Sequence, residues 1–177
     1  MELKEIELPK WEQLPDIDLY MDQVLMYTQK YLRPMDVKDV TASMINNYVK
    51  LKLIPAPIKK KYSRVHVAYI FAIAILKDVF EISMVKQGVD IQVKLLGAKD
   101  AYNLFVSSCQ WAIVNVQLQM TQSEARPLIE EPFSPDKTIM KMAATAFASQ
   151  WMTHQIMQTY IEGEKHAKNS DSNGFGK

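Results

Sequence analysis

The sequence of 177 residues predicts an all-α fold, and three observations predict it. Only five glycines occur, two of them close to the end of the sequence. No proline interrupts the chain from Ile58 through Glu124, so little in its middle can stop a helix. Apolar residues return at three- and four-residue steps over much of the chain, the period of a helix buried on one side. With 48% apolar and 23% charged residues the composition is that of an ordinary globular protein, which excludes a disordered or fibrous chain.

After a lead containing Pro9, Trp11 and Pro15, a first helix is expected from about Asp16 to Leu32. Asp16 or Asp18 supplies its N-cap, and Ile17, Tyr20, Val24, Tyr27 and Tyr31 recur as a buried stripe. Pro34 ends it. A second helix begins after Thr41, a good N-cap, and runs to about Leu51, where Ile54-Pro55-Ala56-Pro57 imposes an extended turn. Lys59-Lys60-Lys61-Tyr62 is too short and too charged to form a core element. Ser63 caps a third helix with Val67, Ile70, Ile73 and Leu76 facing inward, and Ile82-Ser83 opens a fourth that reaches Leu96-Gly97.

Two long helices are expected next, at about 99–124 and 136–163. Ala101, Phe105, Cys109, Ala112, Val116 and Met120 form the inner row of one, and Met140, Ala143, Phe147, Trp151 and Tyr160 that of the other. From residue 166 the composition is too polar to order itself. The expected organisation is therefore a module over 1–97, a C-terminal helical region over 98–165 and a loose tail over 166–177.

Several classes of function lack their signature. Cys109 is the only cysteine and has no chelating neighbours, so neither a disulfide nor a metal site is expected, and a reducing cytoplasm fits. The N-terminus lacks the basic and apolar regions of a secretory signal, and the apolar run Ile70 to Leu76 is far too short to span a bilayer. No glycine-rich phosphate cradle and no Gly-x-Ser-x-Gly turn is present. His66 and His154 read as structural histidines, and Glu130-Glu131, between prolines, as an exposed turn. No cofactor is expected, and the chain reads as a non-enzyme.

Charge supplies the positive signal. Residues 41–77 carry seven bases and no acid, whereas the segments on either side are net acidic. A carboxylate-free block in a chain of net charge +1 is a localised positive field of the kind that attracts phosphate backbones. On the helix after Thr41, helical spacing gathers Ser43, Asn46, Asn47 and Lys50 on one face and Met44, Ile45, Tyr48 and Val49 on the other. Asparagine amides can pair with the edge of adenine in a major groove, and lysine neutralises phosphate.

The run from Met44-Ile45-Asn46-Asn47-Tyr48 to Leu53-Ile54-Pro55, followed by Lys61-Tyr62-Ser63-Arg64 and the Ile70, Ile73, Leu76 stripe, resembles a MerR-like winged helix-turn-helix. The wider run from Leu14-Pro15-Asp16 is more similar still to the bacterial family called domain of unknown function 1836, described as DNA-binding regulators. The resemblance covers roughly residues 8–96. It implies a recognition helix at about 42–51, a basic wing at 58–64 with at most a very short β element, and double-stranded DNA as partner. By the same resemblance Asn46, Asn47 and Lys50 face bases or nearby phosphates, Lys59, Lys60, Lys61 and Arg64 contact the backbone, and Tyr48 packs in the core. Ser43, Lys52 and Tyr62 complete the expected contact set.

Three departures stand out: Asn46-Asn47-Tyr48 replaces the usual Arg-Tyr-Tyr, Lys52 stands where those proteins have glycine, and the wing is shorter. A helical protein-interaction module that keeps this shape without binding an operator is the rival reading. The sequence points to no particular small-molecule effector. The C-terminal helices, with Trp111, Phe147 and Trp151 as anchors, either form a homodimer interface or complete a monomer core.

Overall fold

The computed structural model describes residues 6–121 and 134–172. The described residues form five α-helices: α1 (Met21–Leu32), α2 (Ala42–Lys50), α3 (Arg64–Leu76), α4 (Ile82–Thr121) and α5 (Pro135–Ser172). Two isolated antiparallel bridges are the β structure among the described residues, so the fold is all-α.

The lead is a strap. Leu8 and Leu14 are buried, Pro9 O accepts from the Tyr102 hydroxyl at 2.9 Å, and the Trp11 N–H donates to Asn103 Oδ1 at 2.8 Å. These bonds tie Pro9 and Trp11 to α4 beyond Gly97, across the boundary expected at 97.

α1 begins at Met21, later than expected, for a definite reason. The Leu19 N–H donates to Tyr62 O at 2.9 Å and Leu19 O accepts from the Tyr62 N–H at 2.8 Å. Backbone groups engaged in a bridge cannot also serve a helix. Gln23 Oε1 then closes the new N-terminus by accepting from the Tyr20 N–H at 2.9 Å, in place of an aspartate cap. Ile17 and Tyr20 consequently leave the buried stripe and are 66% and 56% exposed. The stripe is Val24, Thr28 and Leu32, flanked by Tyr27 and Tyr31, which set their rings edge-on to Phe71 of α3. Pro34 does not stop the chain at once, for a single 3-10 turn, Arg33–Met35, follows α1.

Thr41 caps α2 as expected, its hydroxyl accepting from the Met44 N–H at 3.2 Å. α3 is buried nearly all round, with nine of its thirteen residues in the core, as the central helix of a bundle must be. One flank meets α1 and the other meets α4. Gly97 breaks α4 where the sequence places a boundary: its φ of 78° and ψ of 162° are non-helical and lie in a region that favours glycine.

The second half of α4 packs against α5 through Phe105, Val106, Cys109 and Ile113 on one side and Ala144, Phe147, Ala148 and Trp151 on the other. The expected rows shorten at their outer ends: Val116 is half-buried, while Met120 and Tyr160 are exposed. Phe147 and Trp151 are each 4% exposed inside the chain, so they are not free to anchor a dimer. The helix continues through residue 172, past the tail boundary expected at 166. Glu130 and Glu131 lie outside the described residues.

Burial raises the phenol pKa of Tyr48 to about 12, helped by the charge of Asp78, and pushes Tyr27 and Tyr102 upward as well. A folded-state pKa above the ordinary 10.0 means that the unfolded chain releases the proton first. This contribution to stability is complete below pH 10 and declines as pH rises towards 12. Spectrophotometric titration should show these phenols ionising late and together with loss of helical signal. Reversible titration of all eight tyrosines near pH 10 without unfolding would contradict it.

Candidate nucleic-acid interface

α2 is amphipathic in the sense the spacing predicts. Ile45 and Tyr48 are buried, Met44 and Val49 half-buried, and Ser43, Asn46, Asn47 and Lys50 all face solvent. Tyr48 packs in the core, and its hydroxyl finds no hydrogen-bond partner among the described residues.

The exit from α2 carries the first of three unusual lysines. The Lys52 N–H donates to Val49 O at 3.0 Å and the Leu53 N–H donates to Tyr48 O at 2.8 Å, the paired bonds of a Schellman cap. Such a cap requires a left-handed residue, and Lys52 adopts φ of 55° where glycine is the usual choice. A lysine thus occupies a conformation that glycine adopts at lower cost.

The segment expected as a wing, hereafter the wing, is a two-residue hairpin. Ile58 and Lys61 exchange backbone bonds of 3.1 and 2.9 Å, and between them Lys59 and Lys60 have φ of 50° and 64°. Two consecutive positive φ values define a type I′ turn, which Asn-Gly fits best and which strains most side chains. Both lysines are exposed, and among the described residues Lys50, Lys52, Lys59 and Lys60 form no ion pair. The tip thus presents two cations without local neutralisation, on a loop with little room to relax.

Not every expected contact is available. Tyr62 is 3% exposed: its backbone is bridged to Leu19 and its ring meets the His66 ring edge-on at 5.6 Å, so it holds the turn in place and its side chain is not available at the surface. Arg64 is half-buried and its Nε donates to Pro15 O at 3.3 Å, which turns it towards the lead. Lys61 is half-buried with its Nζ 5.2 Å from the centre of the Tyr20 ring. His66 is a structural residue, its Nδ1 accepting from the Ser63 N–H at 3.0 Å. His154 is exposed, and no core environment surrounds it.

Two residues join the surface that helical periodicity places elsewhere or passes over. The Leu19–Tyr62 bridge lays Tyr20 beside the wing, where its exposed ring stacks with Lys61. Ile58, at the base of the turn, is 73% exposed. An exposed aromatic and an exposed aliphatic next to lysines suit contact with sugar and base edges. The only sequence signal for Tyr20 is its position just before the helix that Leu19 delays.

Among known families, the model described as Domain of unknown function (DUF1836) matches residues 9–105, more than half of the chain. The matched segment starts at the strap and ends just beyond Tyr102 and Asn103, the residues that receive it. No curated protein and no solved structure matches the chain.

If strain is held at the wing, relieving it should stabilise the fold. Replacing Lys59 by Asn together with Lys60 by Gly should raise stability by about 1 kcal/mol in urea unfolding, because both new residues favour the left-handed region. A lower midpoint would show that the turn is not strained as described.

Proposed function

The chain belongs to the DUF1836 family, and we propose that it binds double-stranded DNA through a MerR-like winged helix-turn-helix and acts as a transcriptional regulator. α2 enters the major groove with Ser43, Asn46, Asn47 and Lys50, while Lys52 and the wing lysines engage the flanking phosphates. The observation that carries this reading is the set of lysines at Lys52, Lys59 and Lys60, each exposed and each in a left-handed conformation that glycine would adopt at lower cost. Backbone strain of this kind concentrates at functional positions, and here the strained positions carry lysines that form no ion pair among the described residues. Tyr20 and Ile58 extend the surface on the wing side. The cytoplasm is the compartment this role requires.

A second reading has its own observation. Ile156, Met157, Tyr160 and Ile161 lie exposed on one face of α5, an apolar stripe suited to a protein partner or a second copy. It concerns the opposite end of the chain and can coexist with DNA binding.

Fluorescence anisotropy on genomic duplex fragments at two salt concentrations tests the proposal. Wild type should form a salt-sensitive complex. Changing Lys59 and Lys60 to Ala should weaken it on all sequences alike and reduce the salt slope by about 2, roughly 0.9 for each phosphate that is no longer neutralised. Asn46→Ala or Asn47→Ala should instead cost about 1–3 kcal/mol at one base pair and relax preference there. A protein that forms no retained complex at low salt is an interaction module and not a DNA-binding protein.

A further inference from the structure

A cavity of about 370 Å³ opens between α3, both halves of α4 and the first turns of α5. Protein interiors rarely leave voids larger than a water molecule, and an apolar cavity of about 150 Å³ is already enough to bind benzene. The volume here falls in the range of small-molecule sites.

The cavity exists because its walls carry small residues. Ala68 and Ala72 of α3, Gly88 and Ala101 of α4 and Ala143 of α5 all line it, beside larger residues such as Leu76, Phe80 and Phe105. Gly88 is the most telling. A Cβ added there would meet nothing within 4 Å, and its φ is not positive, so neither close packing nor backbone geometry calls for glycine. Glycine weakens a helix relative to alanine, and what its presence leaves here is space.

The chemistry of the wall defines the occupant. Among the described residues no Asp, Glu, Lys, Arg or His lines the cavity, and Gln92 is the one amide. A charged ligand would lose its hydration without a counter-charge. Met84, Ile139 and Met142, all exposed, edge the opening with apolar side chains, two of them flexible thioethers able to adjust to different shapes. We propose that this cavity binds an uncharged, predominantly apolar small molecule. The inference is independent of DNA binding and stands on the cavity alone.

The test uses the whole chain and N-phenylnaphthylamine, a neutral apolar fluorophore. Titration should show saturable binding of one dye per chain with micromolar affinity and a rise in melting temperature. Ala72→Phe and Gly88→Leu fill the cavity from separate helices and should each weaken binding by at least about tenfold. Their circular-dichroism melting temperatures should stay level or rise, and Gly88→Leu, built onto open space, is the variant expected to keep the fold in any case. Absence of saturable binding by wild type, or equal affinity in a folded Gly88→Leu variant, would overturn the proposal. So would binding seen only as the mass doubles from 20.4 kDa, which would assign the cavity to a second copy of the chain.

Discussion

The junction between wing and α3 is the constraint on which the rest of the structure depends. Tyr62 gives its N–H and its carbonyl to Leu19, and the next residue, Ser63, gives its N–H to His66 Nδ1 at 3.0 Å. A nitrogen that accepts from an amide carries no proton, so the His66 proton sits on Nε2, which faces Ala56 O at 3.4 Å. One buried imidazole therefore holds both the entry to the wing and the start of α3. The bridge to Leu19 holds the wing against the lead and at the same time sets where α1 can begin. The orientation of the wing lysines relative to α2 follows from these few bonds.

Much of this is legible from residue types with strong local preferences. Thr41 and Ser63 as helix starts, Pro55 and Pro57 as an extended turn, Gly97 as a break, and the polar face of α2 all rest on short-range chemistry that tertiary packing has no reason to overrule. The sequence misleads where a long-range bond overrides a local signal. Asp16 and Asp18 look like helix caps, and Ile17 and Tyr20 fit a helical stripe, but the pairing of Leu19 with a residue forty-three positions later leaves that segment extended. Tyr62 likewise looks like a contact residue because its neighbours are basic, whereas its side chain is needed beneath the wing. The left-handed lysines cannot be read at all, since lysine has no preference for that conformation and only the hydrogen bonds around Lys52 and the Ile58–Lys61 pair impose it.

α3 joins the two parts of the architecture. Its Phe71 face packs against Tyr27 and Tyr31 of α1, while Ala68 and Ala72 line the cavity shared with α4 and α5. The strap from Pro9 and Trp11 to Tyr102 and Asn103 closes the arrangement from the other side. The family match over residues 9–105 includes the strap, α1 to α3 and the part of α4 that receives the strap.

The most direct measurement is amide chemical-shift mapping of the full chain titrated with a duplex that it retains. The account predicts perturbation concentrated at Ser43, Asn46, Asn47, Lys50, Lys52 and Lys59 to Lys61, with Tyr20 and Ile58 following and the interior of the α4–α5 pair unaffected. Perturbation centred on the exposed face of α5, with α2 and the wing unchanged, would contradict it.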